Sequence, residues 1–220
     1  MPILKVDSVQ LNYGSRKILQ DVHLQCQTGE VLGILGRNGS GKSSLLKIIF
    51  GSVKPDYKFV SINDQVIDQG YTGRHIAYLP QHNYLPAHMS IEALARALIE
   101  PAVWDEFSNF PVYQLNYRKT PRQVSGGEQR QLEILMVLYS TAQFILLDEP
   151  FTHISPIQAE ALKELIKKRA PHKGIIVTDH QYYNVLDVAH RIILINNGCT
   201  KPIANAEELV TYGYLSGIKT

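Results

Sequence analysis

The 220-residue sequence has no long uninterrupted apolar run, only two cysteines and almost no net charge, and each shortage excludes something. Its most apolar stretch, residues 134–147, is broken by Ser140, Thr141 and Gln143 and stops at Asp148. That is too short to cross a hydrocarbon layer of about 30 Å. The N-terminus, Met1-Pro2-Ile3-Leu4-Lys5, lacks the charged region and apolar run of a secretory signal. The expectation is a soluble chain that reaches a membrane only through a partner. Cys26 and Cys199 have neither metal-ligand spacing nor the density of a disulfide framework, so they read as reduced thiols in a reducing compartment. A formal net charge of +2 gives no broad basic surface, so nucleic acid is not an expected partner. With 45% hydrophobic and 19% charged residues, the chain reads as globular rather than disordered.

What is present is an alternation of strands and helices. Residues 3–13 and 17–26 alternate and are joined by Gly14-Ser15, which predicts an antiparallel pair. Residues 30–35 form a nearly continuous apolar run, the pattern of a strand buried on both faces. A helix is expected over 43–50 and strands near 57–62 and 75–79. Ser90 reads as the cap of a helix through Ile91, Leu94, Ala95 and Leu98, with Glu92 in its first turn and Pro101 ending it. Residues 101–121 collect loop signals: Pro101, Asn109, Pro111, Asn116 and Pro121. Strands at 144–147, 174–178 and 192–195 and a helix at 156–168 complete the pattern. The class is α/β with a mainly parallel sheet. Residues 1–81 and 143–220 form the core, with an N-terminal antiparallel part, and 82–142 an inserted helical lobe.

Gly36-Arg37-Asn38-Gly39-Ser40-Gly41-Lys42-Ser43 matches G-x-x-x-x-G-K-[ST] in full, after a predicted strand and before a predicted helix. Glycines let successive backbone N–H groups close around a phosphate, and the helix that starts near Lys42, Ser43 and Ser44 adds its positive end. Lys42 supplies a cation for the β- and γ-phosphates, and Ser43 a hydroxyl for Mg²⁺. The strand 144–147 ends in Asp148-Glu149. Alone, two acids after a strand read equally as a solvated loop. Beside a phosphate loop they fall where parallel sheets bind ligands. Asp148 is then expected at the metal and Glu149 at the attacking water.

Val124-Ser125-Gly126-Gly127-Glu128 lies 24 positions before Asp148 and resembles the signature of ATP-binding cassette (ABC) ATPases. Other elements of that family occur in order. Tyr13 stands where the family places an aromatic ring against adenine. Gln81 matches a glutamine that contacts the metal and links it to the helical lobe, and His180 matches a histidine that senses the γ-phosphate. The resemblance covers residues 3–200, and the runs Phe144–Phe151 and Thr178–His180 look most like ATPases of lipopolysaccharide export and branched-chain amino-acid uptake. It implies an ATPase with ATP and Mg²⁺. It further implies a dimer with a second copy or a related cassette, in which Ser125, Gly126, Gly127 and Glu128 act in trans on the other chain's ATP. A separate membrane-spanning permease, and a place on the cytoplasmic face of the membrane, follow from the same likeness. Four positions depart from the family pattern: Val124 for Leu, Glu128 for Gln, Met136 for Arg and Ser155 for Asp. A soluble ABC ATPase that remodels a cytosolic assembly complex remains the alternative. Nucleic-acid-acting relatives carry long insertions, whereas only 82 positions separate Lys42 from Val124.

Overall fold

The computed structural model describes residues 1–152 and 154–215. Ten strands form one curled sheet: β1 Ile3–Tyr13, β2 Arg16–Gln27, β3 Val31–Leu35, β4 Tyr57–Ile62, β5 Gln65–Val66, β6 Ile76–Leu79, β7 Phe144–Asp148, β8 Gly174–Thr178, β9 Arg191–Asn196 and β10 Cys199–Ile203. Their spatial order is β5-β4-β1-β2-β10-β9-β3-β8-β7-β6. The stretch from β9 to β6 is parallel throughout, while β1 pairs antiparallel with β2 and with β4. This is the expected α/β class with an antiparallel N-terminal part.

The parallel strands are buried on both faces because alternate residues serve two cores. Leu32, Ile34, Phe144, Leu146 and Ile176 pack on one side with helix α1, Lys42–Phe50. That helix is covered in turn by Leu4, Val6 and Val60 of the antiparallel strands. Val31, Leu35, Ile145, Leu147, Ile175 and Val177 pack on the other side with helices α5, Gly126–Leu138, and α6, Pro156–Arg169. A side-chain period of two on fully covered strands accounts for the unbroken apolar runs in the sequence.

Between β6 and β7 the chain is helical. Helix α2, Ile91–Leu98, is capped by Ser90, whose side chain accepts from Ala93 N. The segment 101–121 differs from its loop-like reading. It contains helices α3, Trp104–Ser108, and α4, Pro111–Gln114, with 3₁₀ turns starting at Pro101 and Pro121. Each proline stands at the start of a helical turn, where its missing N–H has no partner to lose. Helix α5 starts at Gly126, inside the signature turn. Ser125 and Glu128 form a capping box that pulls both glycines into the first turn. Helices α7, Tyr182–Val188, and α8, Ala206–Thr211, complete the described chain. Cys26 is buried and Cys199 half-buried, and both are free thiols.

Candidate functional site

Four strand ends meet on one edge of the sheet, and each delivers one piece of a cleft of about 660 Å³. The loop after β3 brings Asn38 to Ser44, the turn after β6 brings Gln81, the turn after β7 brings Glu149 and Thr152, and the turn after β8 brings His180. Parallel strands place their carboxyl ends together, so residues more than a hundred positions apart share one wall.

Within the loop, Gly39 and Gly41 adopt φ of 77° and 101°, which a residue with a Cβ rarely accepts. Lys42 is almost fully buried and its Nζ donates to the carbonyls of Gly36 (2.7 Å) and Arg37 (3.3 Å). Burial pulls its ammonium below the usual lysine value, and the charges of Glu149, Asp148 and Asp179 oppose that pull. Ser40 lines the cleft with a buried Oγ that has no hydrogen-bond partner among the described residues, a spare donor beside the loop. Gly36 and Arg37 stand back from the cleft. Their carbonyls hold Lys42, and the Arg37 guanidinium donates to the Gly213 carbonyl at 2.6 Å.

The two acids after β7 have different surroundings. Asp148 pairs in register with Thr178 of β8. Its Oδ1 accepts from Ser43 Oγ (2.9 Å) and Thr178 Oγ1 (3.1 Å), and its Oδ2 from the Tyr78 hydroxyl (2.8 Å). Glu149 adopts a left-handed φ of 51°, an uncommon conformation for a non-glycine residue that breaks the strand at this point. Its Oε2 accepts from Gln81 Nε2 at 2.7 Å and lies 3.6 Å from His180 Nδ1. Thr152 Oγ1 lies 3.5 Å from the same Oε2 and 3.4 Å from His180 Nδ1. Buried Asp179 ties the two turns together by accepting from Phe151 N (3.0 Å) and Gln181 N (2.9 Å). Desolvation raises its carboxyl above the usual aspartate value despite those bonds.

Tyr13, 57% exposed as a residue, lies at the end of β1 and borders the cleft beside Arg16 and Ile18. An exposed aromatic edge of this kind is a platform for a planar base. Tyr78, Thr178, Arg16 and Thr152 were not singled out from the sequence. Their only signal is position, near the ends of β6, β7 and β8 and at the start of β2, and their roles depend on strand register. The Ser125–Glu128 turn does not line the cleft. Ser125, Gly126 and Gly127 are exposed, and a Cβ on either glycine would meet nothing within 4 Å. Glu128 Oε2 accepts from Ser125 N (3.0 Å) and Ser125 Oγ (2.6 Å), and Asn116 donates to its other oxygen at 3.1 Å.

A mainly parallel α/β sheet with a glycine-rich loop between β3 and α1 defines a P-loop nucleotide-binding fold. The family model "ABC transporter" matches residues 19–152. The lipopolysaccharide export system ATP-binding protein LptB of Acidithiobacillus ferridurans is 31% identical over 94% of this chain and 92% of that protein. Its namesake in Haemophilus influenzae is 30% identical over 90% of this chain and 88% of that protein. A solved structure of the ATP-binding subunit of an ABC transporter superposes with a TM-score of 0.83 at 23% identity, over 98% of this chain and 95% of that one. The chain belongs to the ABC transporter family, as an ATP-binding domain. Among the described residues no helix is long and apolar enough to cross a membrane.

Proposed function

We propose that this chain binds ATP with Mg²⁺ in the cleft and hydrolyses it within a closed dimer, driving a transport system through a separate membrane-spanning subunit. The observation that carries the reading is the convergence on one cleft of Lys42, the Ser43–Asp148 pair, the Gln81–Glu149 pair and His180. Loop N–H groups and Lys42 bind the phosphates, and Tyr13 stacks on the base. Ser43, Asp148 and Gln81 offer hydroxyl, carboxylate and amide oxygens, the hard donors that Mg²⁺ takes. Among the described residues no three His, Cys, Asp or Glu side chains cluster as a metal cage. That suits an ion that completes its shell with phosphate and water. When bound, Mg²⁺ neutralises charge that develops on the transferred phosphoryl group. Glu149, oriented by Gln81, accepts a proton from and aligns the attacking water, and His180 contacts the γ-phosphate.

The exposed Ser125–Glu128 turn has room for the ATP of a second chain, and its helix N-terminus favours an anion. The partner chain is a second copy or a related cassette. The segment 82–142 moves as a lobe when the dimer closes. An apolar groove between the β6 edge and that lobe, walled by Phe50, Tyr71, Tyr84, Leu98 and Met136, receives a segment of the membrane-spanning subunit. Met136 in place of the family's arginine keeps that wall apolar. The chain would then work at the cytoplasmic face of a membrane, and the named relatives support a place near the lipopolysaccharide-export branch.

Glu149→Gln tests the reading. It keeps the shape of the side chain and removes the water-aligning carboxylate, so hydrolysis falls about 10²- to 10⁴-fold while ATP still binds. Size-exclusion chromatography with ATP, ADP or no nucleotide is expected to give a dimer in ATP alone. Monomers in all three despite bound ATP would point to an obligatory different partner. Failure of the wild-type chain to bind ATP would sink the proposal.

A further inference from the structure

Asp148 is a buried carboxylate with three hydroxyl donors from three elements. Two follow from the loop and the sheet: Ser43 lies in the first turn of α1, and Thr178 stands opposite Asp148 in the β7–β8 register. Tyr78 follows from neither. Its register partner on β7 is Leu146, two residues short of Asp148, and only the length of a phenol spans that diagonal. Its O–H is the sole donor to Asp148 Oδ2 among the described residues, while Ser43 and Thr178 share Oδ1. The ring is held against Phe50, with centroids 5.4 Å apart.

We propose that Tyr78 is a positioning residue for the divalent-cation site, anchoring Asp148 Oδ2 so that Oδ1 stays bonded to the Ser43 hydroxyl. A serine hydroxyl has one proton and two lone pairs. With the proton committed to Asp148, the lone pairs are turned toward a cation. A carboxylate free to rotate would release that hydroxyl. Partners one step behind a ligand commonly set its orientation, and their loss costs about 10- to 100-fold in metal affinity or activity. The inference rests on the ATP-and-metal reading above, and it concerns how the site is held rather than what it binds.

The test is the Mg²⁺ dependence of Tyr78→Phe, which keeps the ring and its packing on Phe50 and removes only the O–H. ATP affinity measured without metal, with a fluorescent ATP analogue, is expected to match wild type. The Mg²⁺ concentration that half-saturates both nucleotide binding and hydrolysis is expected to rise about 10-fold or more, with turnover recovering at high Mg²⁺. Equal metal-free binding with an unchanged Mg²⁺ dependence would overturn the role of Tyr78 and leave the ATPase reading standing. A wild-type chain that binds no ATP would overturn the reading itself. Should Tyr78→Phe lose metal-free binding, a fluorotyrosine at position 78 of the otherwise unaltered chain decides. Its ¹⁹F resonance should shift when Mg²⁺ is added to the ATP-bound protein, and a stationary resonance would refute the proposal.

Discussion

Two glycine turns in this chain each feed the N-terminus of a helix, and they sit in opposite surroundings. The turn from Gly36 to Ser43 is enclosed. Its lysine is buried, its Ser43 is bonded to a strand-end carboxylate, and a Cβ on Gly41 would lie 2.7 Å from Leu19. The turn from Ser125 to Glu128 is bare, with no positive φ at Gly126 or Gly127 and open space over both. Both offer N–H groups and a helix end to an anion. The first also has a cation and carboxylates from other strands. The second has no such company, which is what a surface shaped for another molecule would look like.

The strongest way to break this contrast is to remove the enclosed cation. On the proposed ATPase reading, Lys42→Ala is expected to weaken ATP binding and to lower hydrolysis by at least about 10²- to 10³-fold, because the cation assigned to the reacting phosphate would be lost. Binding of a fluorescent ATP analogue and phosphate release measure both effects. Near-normal turnover would show that the lysine serves only its carbonyl bonds to Gly36 and Arg37.

A smaller and sharper test puts one methyl group in each turn. Gly41→Ala forces a left-handed φ of 101° on alanine and should cost about 1–3 kcal/mol of stability, along with ATP binding. Gly127→Ala should leave the melting curve of the monomer within about 0.5 kcal/mol of wild type and its ATP binding intact. On the dimer reading proposed above it should still reduce hydrolysis, because the methyl would stand where a second chain's phosphate approaches. Equal destabilisation by the two substitutions would erase the distinction between enclosed and open turns.

The smallest effect concerns acid. Hydrogen bonds from the Ser125 hydroxyl, then from its N–H, then from Asn116, bring the Glu128 carboxyl from 4.5 down to about 2. A carboxyl lowered in the folded state contributes stability that is complete above about 4.5 and is lost as pH falls through about 2. The cap of α5 should therefore survive mild acid. A titration of the Glu128 carboxyl carbon by NMR checks this, and a midpoint near 4.5 would mean the capping box is open in solution.

Much of the fold could be read from the sequence because its signals are local. The apolar runs that became β3, β7 and β8 are continuous because those strands are covered on both faces, and the loop glycines mark backbone conformations that few other residues accept. The sequence misleads where one residue type carries two meanings. Pro101, Pro111 and Pro121 read as loop signals, yet each opens a helical turn, since only the neighbours decide whether a missing N–H is costly. The departure at Ser155 has a local account: it caps α6 through a box with Gln158, a task serine and aspartate perform about equally.

The sequence by itself determined the phosphate loop, the order of strands and helices, and the presence of two glycine turns ahead of helices, because backbone sterics and side-chain periodicity act over a few residues. Only the tertiary structure decided which groups surround Asp148. Tyr78 and Thr178 reach it because β6, β7 and β8 lie parallel in one particular register, and a slip of one residue would turn all their side chains to opposite faces. No spacing within a single strand encodes that register. It is set by two cores packing against both faces of the sheet at once.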